Sequence, residues 1–353
     1  MTNHATVEQL GEFDEIIDVR TPSEFAEDHV PGARNFPVLD DEERARIGTM
    51  YKQVSPFDAK KAGAALIARN IAEHLERYFH DKPKDWHPLI YCWRGGKRSG
   101  SMTHILNQIG WKAEQLEGGY KAYRRAVSEE LATLPAQYLY CVVCGLTGTG
   151  KSRLLKALSQ AGAQVLDLEG MASHRGSVLG NLPDIKQPSQ KMFESMIWWQ
   201  LKQFDPTKPI FVEAESKKIG VVRVPDSLLD AMWKSRCIQL DMEPPLRVKL
   251  LKEEYEHFLQ DPSALHAKLD LLRNMYGSEQ IERWKTMSSQ QEWDALVSEL
   301  LERHYDPAYT RSTLKHYPQL SESAHLTGHS IDEAEMHRLA LEAIKSCTSH
   351  RSA

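Results

Sequence analysis

Residues Gly145-Leu146-Thr147-Gly148-Thr149-Gly150-Lys151-Ser152 fit G-x-x-x-x-G-K-[ST] without a mismatch, between the apolar run Tyr138 to Cys144 and a helical pattern reaching Gly162. Strand, glycine-rich turn and helix in that order leave few architectures open. The turn must converge its N–H groups on phosphate oxygens, with a helix N-terminus behind them. The lysine neutralises terminal phosphate charge, and the following hydroxyl suits a magnesium ion. Gly145, Thr147, Gly148, Thr149, Gly150, Lys151 and Ser152 are therefore the expected diphosphate-binding residues. A diphosphate satisfies such a loop whether or not a nucleoside is attached.

The surrounding pattern is α/β. Strands are expected at Glu15 to Val19, Ala33 to Pro37, His87 to Cys92 and Trp111 to Leu116, with an amphipathic helix from Ser55 to Phe79 and another ending near Gly110. A second series follows: strands Tyr138 to Cys144, Gln164 to Leu168, Pro209 to Val212 and Arg236 to Asp241, with a helix from Pro188 to Phe204. Alternation of this kind implies mostly parallel sheets. The 353 residues suit about two domains. We expect one at 1–130, a second at 138–305 whose later part is helical, and a partly helical tail at 306–353 with a Ser330/Glu333 capping box before a short helix.

A net charge of -5 argues against coating nucleic acid by bulk charge. With neither a long apolar run nor a basic-then-apolar start, the expectation is a soluble cytoplasmic chain without a membrane span. Five cysteines, an odd number, make a disulfide framework unexpected. Cys141 and Cys144, at i and i+3 on a strand, face opposite ways and make no metal pair.

Ile210-Phe211-Val212-Glu213 stands where a nucleotide hydrolase has an apolar strand ending in Asp, so Glu213 and nearby Glu215 are candidates for metal binding or base chemistry. Met192, Phe193, Met196, Trp198 and Trp199 read either as a core helix or as an apolar pocket beside the phosphate loop.

Cys92-Trp93-Arg94-Gly95-Gly96-Lys97-Arg98-Ser99-Gly100 places a thiol at the end of a buried strand with a glycine-rich loop wrapping toward a helix start. A helix N-terminus and neighbouring Arg94, Lys97 and Arg98 are the setting of a nucleophilic cysteine. With Gly95 and Gly96 these form the candidate catalytic cradle. Together with Asp18-Val19-Arg20, His29-Val30-Pro31-Gly32-Ala33 and Gly118-Gly119-Tyr120, the loop resembles a rhodanese domain. Its C-x5-R spacing to Arg98 is one residue longer than usual and similar to Cdc25-type phosphatases, which suits a larger oxyanion.

A rhodanese-like domain followed by this phosphate loop resembles the tRNA 2-selenouridine synthase family. Asp167-Leu168-Glu169-Gly170, His174-Arg175-Gly176-Ser177, Glu213-Ala214-Glu215-Ser216 and Ile219-Gly220 are also similar to that family's segments. The resemblance implies a tRNA with 2-thiouridine at the wobble position as partner, S-geranylation from geranyl diphosphate, then replacement by selenium from selenophosphate, with Mg²⁺ as cofactor and selenophosphate synthetase as a further partner. Lys121, Arg124, Arg125, Lys217, Lys218 and Arg223, with His174 and Arg175, are the candidate tRNA contacts. Two other classes fit parts of the pattern: a C-x5-R phosphatase or sulfurtransferase joined to a nucleotide kinase or ATPase, and a non-catalytic nucleotide-sensing, RNA-binding module.

Overall fold

The first series of apolar runs forms a five-stranded sheet of β1 (His4–Ala5), β2 (Glu15–Asp18), β3 (Arg34–Asn35), β4 (Pro88–Tyr91) and β5 (Glu114–Leu116), in the order β1-β5-β4-β2-β3 with every pairing parallel. All four residues of central β4 are buried, as covering both faces of a parallel strand requires. Ile17, Ile71, Phe79, Ile90 and Met102 form the core around it. The computed structural model describes residues 4–177 and 179–348. The chain divides into a first unit, Met1–Glu130 with Ser189–Trp199, and a second, Leu131–Pro188 with Gln200–Ala353.

The returning segment corrects the sequence reading. Helix Gln190–Gln203 buries Phe193, Ile197 and Trp198, and its stretch up to Trp199 belongs to the first unit. Ser195 donates to Asp28 at 2.8 Å, Trp198 Nε1 donates to Glu130 at 3.1 Å, and Arg124 pairs with Glu194. The Met192 to Trp199 stretch is thus a core element of the cysteine-bearing unit rather than a wall of the phosphate-loop domain. Periodicity reveals that a helix is buried but not against which partner.

In the second unit β6 (Tyr140–Cys144), β7 (Gln164–Leu166), β8 (Ile210–Glu213), β11 (Arg236–Met242) and β12 (Ala324–Gly328) run parallel in the order β12-β11-β6-β8-β7. Strands β9 (Lys218–Ile219) and β10 (Val222–Arg223) make a small antiparallel ribbon. Helices Pro244–Glu254, Glu256–Gln260, Pro262–Asp270, Arg273–Ser289 and Trp293–Leu300 build a helical part whose core includes Phe258, Leu265, Leu269, Trp284 and Leu296.

The tail is structural. Its strand β12 extends the sheet from Ile238↔Ala324 to Met242↔Gly328, and its last helix, Glu333–Thr348, buries Met336, Leu339, Ala340 and Ala343 in the core shared with Leu154 and Leu158. That helix has 16 residues, and its cap is Asp332, which accepts from the Glu335 N–H at 2.8 Å. Ser330 bonds Asp332 instead of forming the expected box. Cys141 and Cys347, 206 positions apart, are joined as a disulfide, while Cys92, Cys144 and Cys237 are free. Spacing along the chain could not reveal that meeting of strand and final helix. Among the described residues, no helix is long and apolar enough to cross a membrane.

Candidate functional site

Cys92 follows β4 directly, at the carboxyl end of the sheet, and helix Lys97–Ile109 begins five residues later. Its Sγ receives the Gly96 N–H at 3.3 Å and the Ser99 hydroxyl at 3.1 Å. Gln115 on β5 holds this arrangement, donating to Ser99 Oγ at 2.8 Å and to the Gly95 carbonyl at 2.5 Å. The turn Gly118-Gly119 closes the far side. Gly119 has φ +57°, and a Cβ there would lie 2.2 Å from the Cys92 carbonyl oxygen, so only glycine fits. The Tyr120 N–H bonds that same carbonyl at 2.8 Å.

Arg94 and Lys97 are exposed beside the thiol, but Arg98 is turned to Glu24 at 2.8 Å. Burial raises the Glu24 carboxyl, but the hydrogen bond and charge of Arg98, with the Thr21 N–H and the charge of Arg20, together outweigh it and leave Glu24 below its ordinary range. Arg98 therefore clamps the loop to helix Pro22–Glu27 rather than reaching for an oxyanion. The other rhodanese-like residues make the support: Arg20 pairs with Asp18 at 2.6 Å and lies 3.9 Å from the Tyr120 ring centroid. Buried Asp28 accepts from Tyr120 and Ser195, each at 2.8 Å.

The second loop joins β6 to helix Lys151–Gln160. Lys151 donates to the Gly145 carbonyl at 2.9 Å and lies 3.5 Å from Glu213. Ser152 Oγ lies 3.2 Å from Glu169 and 3.4 Å from Glu213. Carboxylate oxygens of Glu169, Glu213 and Glu215 lie within 4.8 Å of one another. Burial, reinforced by Glu213 and Glu215, pushes Glu169 up to about 10; burial and Glu213 push Glu215 up to about 8. Burial likewise raises Glu213. Burial opposes the Lys151 charge, but the surrounding carboxylates prevail and raise its pKa. Three crowded carboxylates and one hydroxyl, beside a single lysine, form an oxygen donor set suited to a hard divalent cation.

Sequence reasoning finds Glu213 and Glu215 but misses Glu169, which the Asp167-capped helix Leu168–Ala172 delivers. It also misses two supports. Tyr309, from the tail, receives the Gly145 N–H at 2.8 Å and lays its ring 5.4 Å from Lys151 Nζ. Arg247 donates to the Thr147 carbonyl at 2.9 Å and pairs with Asp306 at 2.5 Å.

Thr147 also lines an apolar cavity in the helical part. Its walls are Trp293, Leu296, Val297, Leu300 and Leu301 on one side, Leu251, Tyr255 and Phe258 on another, with Leu265, Leu179 and Ser177 closing it. The first set recurs at i, i+3, i+4, i+7 and i+8, one face of a helix. That stripe was the available signal for an apolar pocket, in place of Met192 to Trp199.

The candidate tRNA contacts divide. Arg94, Lys121 and Arg125 line one open groove with Glu8, Glu117 and Glu129. Lys217, Lys218 and Arg223 are exposed on and beside the β9–β10 ribbon, with Lys218 paired in register with Arg223. Arg124 is engaged by Glu194 and the Lys191 carbonyl, and Arg175 by the Glu254 carbonyl and the Tyr255 ring. His174 is buried and bridges to Asn181, so it presents no ring to an RNA.

Comparison with known proteins finds a family match in each half of the chain. Residues 3–126 match the rhodanese-like domain family and residues 139–270 the "tRNA 2-selenouridine synthase AAA domain" family. Curated proteins named tRNA 2-selenouridine synthase are similar over most of the chain. The Aeromonas salmonicida protein is 31% identical over 83% of this chain and 86% of its own length. The Nitrosomonas europaea protein is 36% identical over 68% of this chain and 63% of its own length, and the Alcanivorax borkumensis protein 37% over 68% and 66%. With a rhodanese-like unit carrying Cys92, a phosphate-loop unit carrying Lys151 and relatives matched across both, the chain belongs to the tRNA 2-selenouridine synthase family.

Proposed function

We propose that this chain converts wobble 2-thiouridine of tRNA to 2-selenouridine in two steps run by two loops: S-geranylation from geranyl diphosphate, then selenation from selenophosphate. The observation that carries the first step is Thr147, which belongs at once to a phosphate cradle and to the wall of an apolar cavity. A ligand suited to both has a diphosphate head and a hydrocarbon tail. Burying ten carbons at about 0.8 kcal/mol each adds several kcal/mol unavailable to a nucleotide.

The thiouridine sulfur attacks C1 of the prenyl group, the C1–O bond breaks, and diphosphate leaves with both electrons. Lys151 and the loop N–H groups stabilise the charge that develops there. Glu169, Glu213, Glu215 and Ser152 would hold Mg²⁺, which supplies further positive charge to the diphosphate. The alkylated sulfur is the better leaving group from C2. In the other unit Cys92, with the Gly96 N–H and Ser99 hydroxyl directed at its sulfur, positions selenophosphate for that displacement: selenium bonds to C2, geranylthiolate leaves with the C2–S electrons, and the P–Se bond breaks as water takes the phosphoryl group. The groove of Arg94, Lys121 and Arg125 lies beside it for tRNA phosphates.

Nucleoside mass spectrometry of thiolated tRNA incubated with geranyl diphosphate, with and without selenophosphate, tests the reading. Geranylthiouridine in the first case and selenouridine in the second are expected. Phosphate release from an aryl phosphate that depends on Cys92, with neither nucleoside formed, would replace the proposal by the phosphatase reading.

A further inference from the structure

We infer that Trp93 is a stacking platform for a nucleobase of the tRNA, one residue from Cys92. The inference rests on the tRNA reading of the groove above and adds a base contact to its phosphate contacts.

Trp93 is 40% exposed, yet it is firmly held. Its carbonyl accepts the Lys121 N–H at 3.0 Å, one step along from the Tyr120 N–H that bonds the Cys92 carbonyl. Its indole leans on the Tyr120 ring, with centroids 5.2 Å apart and planes 32° from parallel. Tyr120 in turn is buried, ties its hydroxyl to Asp28 at 2.8 Å and lies 3.9 Å from the Arg20 guanidinium. An aromatic plate backed by a second, immobile one loses little rotamer freedom when a ligand covers it. Single exposed apolar side chains are ordinary on a protein surface, but this one is fixed at the loop that carries the thiol.

The neighbours identify what covers it. Arg94 follows in the chain, and Lys121, bonded to the Trp93 carbonyl, lines the same open groove as Arg94 and Arg125. Glu8, Glu117 and Glu129 share that groove, so its cations register phosphates while the balanced charge gives a polyanion little net attraction. An aromatic face supplies the uncharged contact that such a groove lacks, because every base has a face to stack on it. Chemistry on a base also requires taking that base out of its stack. The thiol next to Trp93 is only 4% exposed, so a base approaching it leaves its neighbours behind, and the indole replaces the stacking given up.

The experiment measures binding of thiolated tRNA to the full chain and to Trp93→Ala, Trp93→Leu and Trp93→Phe across a salt series, with tryptophan fluorescence recorded. Trp93→Ala should weaken binding about 5- to 150-fold, the range for losing one base–aromatic stack. Because the ring carries no charge, the salt slope should keep its wild-type value. Trp93→Phe should retain most of the affinity, whereas Trp93→Leu should fall to the alanine level, since leucine restores apolar bulk without an aromatic face. Bound tRNA should quench wild-type fluorescence by an increment that Trp93→Phe lacks. If Trp93→Leu does not fold, the phenylalanine–alanine comparison and the fluorescence decide. Wild-type affinity in Trp93→Ala, leucine binding as well as phenylalanine, or a reduced salt slope in Trp93→Ala overturns the inference and leaves the tRNA reading standing. Failure of wild type to bind thiolated tRNA overturns both.

Discussion

The two loops share one local design, a buried parallel strand ending in a glycine-rich turn at the start of a helix, yet they treat charge in opposite ways. Around Cys92 the cations Arg94 and Lys97 are exposed, and the sulfur is approached by an N–H and a hydroxyl at the rim of an open groove. Around Lys151 the cation is drawn inward onto buried glutamates, and the turn borders an apolar cavity. The difference follows from what is adjacent. Gly118 and Gly119 back the first loop with bare peptide, and an open groove lies in front of Arg94. Arg247, Tyr309 and the helical part crowd the second.

The contrast can be broken in several ways. Lys151→Ala removes the charge facing the leaving diphosphate and should slow prenylation by about 10²–10³-fold, in the range for losing one transition-state donor. Selenation of tRNA that has already been geranylated should proceed at the wild-type rate in the same variant. A loss of both rates would merge the two sites into one.

Next in size is the salt response. With roughly four to six phosphates contacted, a fourfold rise in salt should weaken tRNA binding by about 1.5 to 3 decades. Replacing Arg94, Lys121 and Arg125 together by alanine should reduce the magnitude of the salt slope by about two to three, while Lys151→Ala leaves it unchanged. Filter binding across a salt series separates these outcomes.

The smallest effect concerns stability. Burial, opposed by the Tyr120 and Ser195 hydroxyls, holds Asp28 above its ordinary carboxylate range. Between its unfolded and folded pKa values the folded chain binds more protons, so the Asp28 contribution to stability falls as pH rises through that window. Ser195→Ala removes one donor to the carboxylate and should cost about 1–2 kcal/mol at neutral pH and less below the window. Urea unfolding of wild type and variant at several pH values measures the difference. A pH-independent cost would indicate lost packing rather than a lost hydrogen bond.

Both loops are legible in the sequence because each is contiguous and chemically dense, and the alternation around them suffices for two parallel sheets. What escapes is whatever depends on distant segments meeting. Glu169 joins Glu213 and Glu215 only because β7 and β8 are neighbours. Tyr309 reaches Gly145 across 164 positions, and β12 reaches the sheet from a tail with no motif of its own. The helix bearing Met192 to Trp199 shows the same limit from the other side. Its apolar spacing is plain, but its hydroxyl at Ser195 and carboxylate at Glu194 select the first unit through Asp28 and Arg124. Likewise the C-x5-R spacing is visible, and only folding shows Glu24 holding the arginine.

The central claim is that the two loops perform separable steps. Its most direct test is the nucleoside content of thiolated tRNA after incubation of Cys92→Ala with geranyl diphosphate, Mg²⁺ and selenophosphate. The account predicts that geranylthiouridine accumulates at close to the wild-type rate of formation and that no selenouridine appears. Selenouridine at wild-type levels, or loss of both nucleosides from a variant with wild-type unfolding behaviour, would contradict it.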